Sequence, residues 1–292
     1  MATYARFRPP LPAVLFVGSI LLSCASTAKQ PAITPTPTNT QLPGKFVWRD
    51  LITTNPDAAT KFYGALLGWE FKDAGKEAKH YIVISQNGRP IGGILDSRGK
   101  KAEKVQSMWV SSLSVRDVNA AIAAVNAAGG KVLWGPKTLG ARGSVVLVAD
   151  PEKAPLALMR APGGDPADDE PVINGWLWTE LWSRQPDSAV QFYSRLAPYE
   201  SRPSENLDRP YFVLDTDGQP RAGIMKLFAQ DVRPLWVPYV RVADVAAALK
   251  QVEALGGHVI VSPSANLRNG TVALIQDPTG AVIALQYWEP KS

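Results

Sequence analysis

Apolar and polar residues alternate between positions 45 and 53, with aromatic and β-branched side chains among them, and this predicts a strand. Asn55-Pro56-Asp57 then reads as a helix start, with Asn55 as N-cap and Pro56 in the first turn. Ala58, Ala59, Phe62, Tyr63, Leu66 and Leu67 keep helical spacing until Gly68 ends the run. Short strands are expected near 81–85 and 91–95, joined by an Asn87-Gly88 turn. The same order returns between 107 and 159. A strand at 109–115 leads to Asp117 as cap and an alanine-rich helix at 118–128, which Gly129-Gly130 ends. Strands near 131–134, 145–149 and 156–160 follow.

The whole pattern then occurs a second time. Phe62-Tyr63 recurs as Phe192-Tyr193, and at the same offset Trp48 falls on Trp178, Asp50 on Glu180, Tyr81 on Tyr211 and Gly93 on Gly223. Three residues are then lost from the offset, and Trp109 pairs with Trp236, Asp117 with Asp244, Gly129-Gly130 with Gly256-Gly257, and Asp150-Pro151 with Asp277-Pro278. A repeat of this length marks a duplicated domain. The expected class is α+β: each copy has two βαβββ modules, which form a half-open, mostly antiparallel sheet with its helices outside. The copies are placed at 45–161 and 175–289, with a Pro/Gly/acid-rich linker at 162–174.

The first 44 residues lack this periodicity. Arg6 and Arg8 precede an apolar stretch at 11–22, which is shorter than the ~20 residues a membrane-crossing helix needs. It ends at Leu21-Leu22-Ser23-Cys24, and Cys24 is the sole cysteine of the chain. This resembles a bacterial lipobox, which implies a signal peptide at 1–24 and lipidation of Cys24. It further implies a lipid-anchored protein of the bacterial cell envelope, with the outer membrane, facing the periplasm, favoured because no aspartate follows the cysteine. The alternative is an ordinary secretory leader. Residues 25–44, rich in Pro and Thr, read as an extended tether unable to bury a core. The formal net charge of +5 includes the two leader arginines, and no Lys/Arg run stands out beyond the isolated Lys100-Lys101 pair, so no nucleic-acid partner is expected. One cysteine, placed at the lipobox, argues against disulfides and thiol catalysis in the folded copies.

The strand, Pro-Asp, helix and Phe-Tyr…Leu-Gly-Trp order at 56–69, its second copy, the Val-x-Asp-Val helix entries at Val115 and Val242, and the Asp-Pro turns together resemble the vicinal oxygen chelate superfamily. This is the glyoxalase, bleomycin-resistance and extradiol-dioxygenase group. The resemblance implies ligand places for a divalent ion, and here they fall on Trp48 and Trp178, near Val110 and Val237, on Ala157 and Ala284, and on the apolar stretches 91–95 and 223–226. Such side chains have no lone pair to donate. His80 and His258, the two histidines, stand at unrelated places. No metal and no other cofactor is therefore expected.

The resemblance also implies that one face of the first strand of each copy lines a ligand hollow. Strand alternation puts Trp176, Trp178, Glu180 and Trp182 on that face in the second copy, and Phe46, Trp48, Asp50 and Ile52 in the first. Tyr239 and Arg241 alternate along a neighbouring strand and are expected to line the same hollow. Aromatic walls with one fixed acid suit a small, partly apolar molecule with a donor or cationic group, oriented by Glu180. Trp48, Asp50, Trp178, Glu180, Trp182, Tyr239 and Arg241 are thus the candidate ligand-binding residues, and a small organic molecule is the expected partner, bound without metal. Two alternatives stand beside this: a metal-dependent lyase, isomerase or dioxygenase using unrecognised ligands, and an interaction module whose tryptophans fill their own hollows. Ligand identity, catalysis and oligomeric state stay open at this stage.

Overall fold

The computed structural model describes residues 29–78, 80–98, 106–204, 209–227, 232–265 and 267–289. The leader and Cys24 lie outside the described residues. The first copy contains β1 (Phe46–Thr53), α1 (Pro56–Leu67), β2 (Glu70–Asp73), β3 (Tyr81–Gln86), β4 (Arg89–Asp96), β5 (Met108–Ser114), α2 (Val118–Ala127), β6 (Lys131–Thr138), β7 (Ser144–Ala149) and β8 (Pro155–Arg160). The second repeats it as β9 (Trp176–Ser183), α3 (Pro186–Tyr193), β10 (Glu200–Pro203), β11 (Tyr211–Thr216), β12 (Gln219–Lys226), β13 (Leu235–Arg241), α4 (Val245–Ala254), β14 (His258–Val261), β15 (Val272–Gln276) and β16 (Val282–Gln286). Each copy forms one eight-stranded sheet, ordered β2-β3-β4-β1-β5-β8-β7-β6 and β10-β11-β12-β9-β13-β16-β15-β14. The pairs are antiparallel except β1–β4, β5–β8, β9–β12 and β13–β16, which join the ends of each βαβββ module.

Local chemistry sets the element ends. Asn55 Oδ1 accepts from Ala58 N–H at 3.1 Å, and Asp117 and Asp244 cap α2 and α4 in the same way. Gly129 and Gly256 take left-handed φ values of 82° and 84° after α2 and α4. The glycine after each is required for space. A Cβ on Gly130 would lie 3.0 Å from Phe192 Cε2, and one on Gly257 would lie 2.8 Å from Phe62 Cε2. Each phenylalanine belongs to the other copy, so Gly130 and Gly257 make room for the packing between copies as well as for the Ala149 and Gln276 carbonyls of their own.

That packing is the main core. The helix-bearing faces of the two sheets meet, and Leu113, Val125, Val146 and Leu158 of the first copy share one apolar cluster with Leu181, Phe192, Tyr193 and Ile224 of the second. Leu51, Phe62, Leu67 and Ile94 likewise join Val240, Val252, Ile275 and Ile283. Two buried hydrogen-bond chains repeat the symmetry. Trp109 Nε1 donates to Tyr63 Oη, which donates to Asp277 Oδ2; Trp236 Nε1 donates to Tyr193 Oη, which donates to Asp150 Oδ2, each bond being 2.9 Å. The Phe-Tyr, Trp and Asp-Pro signatures of the repeat are thus interface residues. Near the centre the buried Arg49 donates from Nη2 to Thr179 Oγ1 at 2.7 Å and lies over the Trp176 ring; burial pushes its guanidinium down to about 9.

The segment expected to be a free tether is docked on the first copy over its described part. Gln30 bridges to Gly140, Ile33 is 2% exposed against Val47, Trp48, Met159 and Ala161, and Leu42 N–H bonds Asp165 Oδ2 at 2.6 Å. Composition predicted no burial; a single isoleucine suffices because the hollow of the first copy supplies the rest of the surface.

Candidate functional site

The hollows lie on the sheet faces turned away from the other copy. A bulge controls what enters them. On β1 the pairing with β5 steps from Phe46↔Leu113 to Trp48↔Ser112, and on β9 the pairing with β13 steps from Trp176↔Val240 to Trp178↔Tyr239. One extra residue reverses the alternation beyond it. Val47 and Leu177 therefore turn into the hollows beside Trp48 and Trp178. Phe46 and Trp176 turn away: Phe46 packs 4.8 Å from Trp236, and Trp176 sits 5.0 Å from Trp69 and 5.3 Å from Trp109. Strict alternation placed Phe46 and Trp176 in the ligand stripes, and the bulge corrects this.

The two floors share four chemical groups. In the first copy Trp48 Nε1 donates to Tyr81 Oη at 2.9 Å, Tyr81 Oη donates to Asp50 Oδ1 at 2.5 Å, and Arg142 Nη2 donates to Tyr81 Oη at 3.1 Å. Arg142, 2% exposed, lies over the Trp48 ring at 4.1 Å, with its Nη1 3.9 Å from Asp50 Oδ2. In the second copy Trp178 Nε1 donates to Tyr211 Oη at 3.1 Å, and Arg268 Nη2 donates to Tyr211 Oη at 3.1 Å and to Glu180 Oε2. Glu180 Oε1 also accepts from Tyr239 Oη at 2.7 Å and Trp182 Nε1 at 3.1 Å. Gln286 Oε1 accepts from Arg268 Nη1 at 3.3 Å. Burial is the first cause raising the Tyr81, Tyr211 and Tyr239 phenols, so all three stay protonated donors. Arg268 is held above the usual guanidinium range, its burial being outweighed by Glu180 and the two phenols.

Glycine makes room for both tyrosines. A Cβ on Gly93 would lie 1.9 Å from Tyr81 Oη, and one on Gly223 would lie 2.1 Å from Tyr211 Oη.

Trp178, Glu180, Trp182 and Tyr239 are therefore brought together, as are Trp48 and Asp50 in their own copy. Arg241 is not part of this group. Its Nε bonds the Trp288 carbonyl at 2.9 Å and its Nη1 the Pro171 carbonyl at 2.6 Å, so it clamps the linker and the chain end. Glu180 also differs from expectation: the acid expected to hold a donor or cationic ligand is filled by Arg268, Tyr239 and Trp182. Sequence reasoning missed Arg142, Arg268, Tyr81, Tyr211 and Ile33 as hollow residues. The repeated Tyr81/Tyr211 and Gly93/Gly223 pairs carried a signal, since a phenol lying over a strand needs a glycine beneath it.

The hollows differ in cover. Ile33 and the Pro31 carbonyl close the first, the latter accepting from Arg142 Nε at 3.2 Å. In the second, Leu177, Trp178, Met225, Leu235 and Ile260 remain partly exposed around Arg268, which is 22% exposed. The places assigned to metal ligands do face the hollows: Val110 and Ala157 in the first, Val237 and Ala284 in the second. Indole, isopropyl and methyl groups there offer no donor, and among the described residues no three His, Cys, Asp or Glu side chains converge. The donor set does not fit a divalent ion.

Comparison with known proteins agrees with this architecture. A model of the Glyoxalase/Bleomycin resistance protein/Dioxygenase superfamily matches residues 45–158. "Putative glyoxylase CFP32" of Mycobacterium tuberculosis is 28% identical over 241 residues, covering 82% of this chain and 92% of that protein. "Anthracycline biosynthesis protein DnrV" of Streptomyces peucetius is 28% identical over 257 residues, covering 82% and 91%. Among solved structures, the Mn(II)-bound glyoxalase from Novosphingobium aromaticivorans aligns with a TM-score of 0.57 at 17% identity, covering 84% of this chain and 82% of that one. The 2,2',3-trihydroxybiphenyl 1,2-dioxygenase of Sphingomonas wittichii aligns at 0.58 and 12% identity, covering 85% and 91%. These two likenesses establish fold.

Proposed function

Residues 45–158 belong to the Glyoxalase/Bleomycin resistance protein/Dioxygenase superfamily and the second copy repeats their fold; from that premise we propose that the chain binds a small organic molecule in the hollow of its second copy. The ligand carries an acceptor oxygen, Arg268 is its polar anchor, and no metal ion mediates the contact. The observation that carries this reading is Arg268 itself: fixed by Glu180 and Tyr211, partly exposed, and set against Tyr239 of the apolar cluster that lines the hollow. A guanidinium donates only, so it selects carbonyl, phenolate or carboxylate oxygens. The names of the two relatives, which point to small-molecule chemistry, support the same ligand size. The leader and Cys24 support placing this binding at the bacterial envelope; no helix of the described residues is long and apolar enough to cross a membrane.

The experiment is a titration of chelator-treated protein with planar carbonyl, phenolate and carboxylate compounds, followed by tryptophan fluorescence. Binding should saturate at one molecule per chain, survive chelation, and weaken about tenfold in Arg268→Lys, the loss of a charge-assisted hydrogen bond. Restoration of binding only by added Mn, Fe, Ni or Zn would favour the metal-dependent alternative and defeat this reading.

A further inference from the structure

The first hollow shows what the second can hold, because the floors match in their Trp, Tyr and Arg groups and, among the described residues, only the first is covered by an N-terminal segment. The pocket around Ile33 is Val47, Trp48, Met159 and Ala161, all buried. Their counterparts in the repeat are Leu177, Trp178, Gln286 and Trp288. Of these, Leu177, Trp178 and Trp288 are partly exposed, and Gln286 makes one wall more polar. The Trp–Tyr–Arg hydrogen bonds beneath match between copies to within 0.2 Å: 2.9 and 3.1 Å for Trp to Tyr, 3.1 Å in both for Arg to Tyr. One donor differs. Arg142 Nε holds the Pro31 carbonyl at 3.2 Å, whereas Arg268 Nε makes no hydrogen bond among the described residues.

We propose that the second hollow binds a short peptide-like amide in the manner in which the first binds residues 30–34. An uncharged amide carbonyl sits on Arg268 Nε, and a branched aliphatic side chain two residues further along packs on Leu177 and Trp178. This rests on the ligand-binding reading of the second hollow and narrows its ligand class. A neutral carbonyl suits the site because Glu180 already balances the arginine charge. The segment at 30–34 needs little intrinsic affinity, since attachment gives it an effective concentration in the millimolar range. A free peptide should therefore bind in roughly that range or tighter.

The test uses the full chain and a capped peptide of residues 29–34, with a photoreactive diazirine at the isoleucine side chain for mapping. Saturable binding is expected, with crosslinks on β9, and a loss of about tenfold in Arg268→Lys. A peptide with aspartate in place of isoleucine should fail on the unaltered protein, which keeps the test valid if the Arg268 variant folds poorly. Crosslinks confined to β1 and Met159 would mean exchange into the first hollow and would overturn the proposal, as would equal binding of the aspartate peptide. If the peptide does not bind while planar carbonyl compounds do, the peptide class falls and the broader reading stands. If neither binds, both fall.

Discussion

At the scale of single residues, shape decides more than polarity. Gly223 is set by the phenol of Tyr211, and Gly64 is not set by anything comparable: a Cβ there meets Phe71 at 3.5 Å, ordinary contact, inside α1. The two should respond in opposite directions to the same substitution. Gly223→Ala should destabilise by roughly 1–3 kcal/mol, because the ring must shift and the Trp178 and Arg268 contacts with it. Gly64→Ala should stabilise by roughly 0.5–1 kcal/mol through lost chain entropy. Urea unfolding of both variants checks this, and a neutral Gly223→Ala would contradict the tight floor. The acids of the hollows illustrate the limit of reading residue types: Asp50 and Glu180 are evident from the repeat, but that arginines 142 and 268 sit on them is not, because those arginines lie in loops far away in sequence.

At the scale of elements, the interface between copies carries a pH dependence. Asp150, in the turn between β7 and β8, is pushed from 3.8 up to about 6, burial being the main cause and the Ala154 N–H and Tyr193 Oη hydrogen bonds opposing it. Asp277, its counterpart between β15 and β16, is also raised by burial. A carboxyl whose pKa is higher folded than unfolded binds its proton more tightly in the native state. Its contribution is therefore fully present below about pH 4 and is lost as the pH rises through 6. Asp150→Asn keeps an acceptor for Tyr193 without that titration. Relative to the variant, the parent should lose on the order of 3 kcal/mol of unfolding free energy between pH 4 and 7. Parallel stability curves for the two proteins would refute the assignment. Elements themselves were legible in outline. Caps, Gly-ended helices and turns appear where spacing predicts them, whereas the bulges at Val47 and Leu177 do not announce themselves, since alternation looks regular until pairing partners are known.

At the scale of the whole molecule, the pieces outside the repeat matter most. Residues 29–44 follow the first copy closely instead of hanging free, and the linker is held by Gln86, Trp69 and Arg241. If Cys24 carries lipid, the folded body is tied close to the membrane surface, because few residues separate it from the docked Gln30. The protein should then partition into detergent, and Cys24→Ser should release it or leave it unprocessed, as measured by phase separation and mass spectrometry. Unchanged membrane association of Cys24→Ser would remove the anchor from the account. A single acyl chain would hold only marginally, so multiple acylation is the expected state.

The amino-acid sequence by itself determined the duplication, the βαβββ order of each copy, the helix ends and the donor-free side chains at Trp48, Trp178, Ala157 and Ala284. These rest on local periodicity, on capping chemistry and on residue types that no packing can change. Only the tertiary structure decided which way each strand face points, which arginine neutralises which acid, and which hollow is covered. Those outcomes depend on strand register and on contacts between residues a hundred or more positions apart, such as Ile33 with Met159 and Tyr63 with Asp277. Two copies with matching Trp, Tyr and Arg floor groups thus end differently, one closed by the chain's own isoleucine and the other with an anchored arginine beside partly exposed aromatic and aliphatic walls.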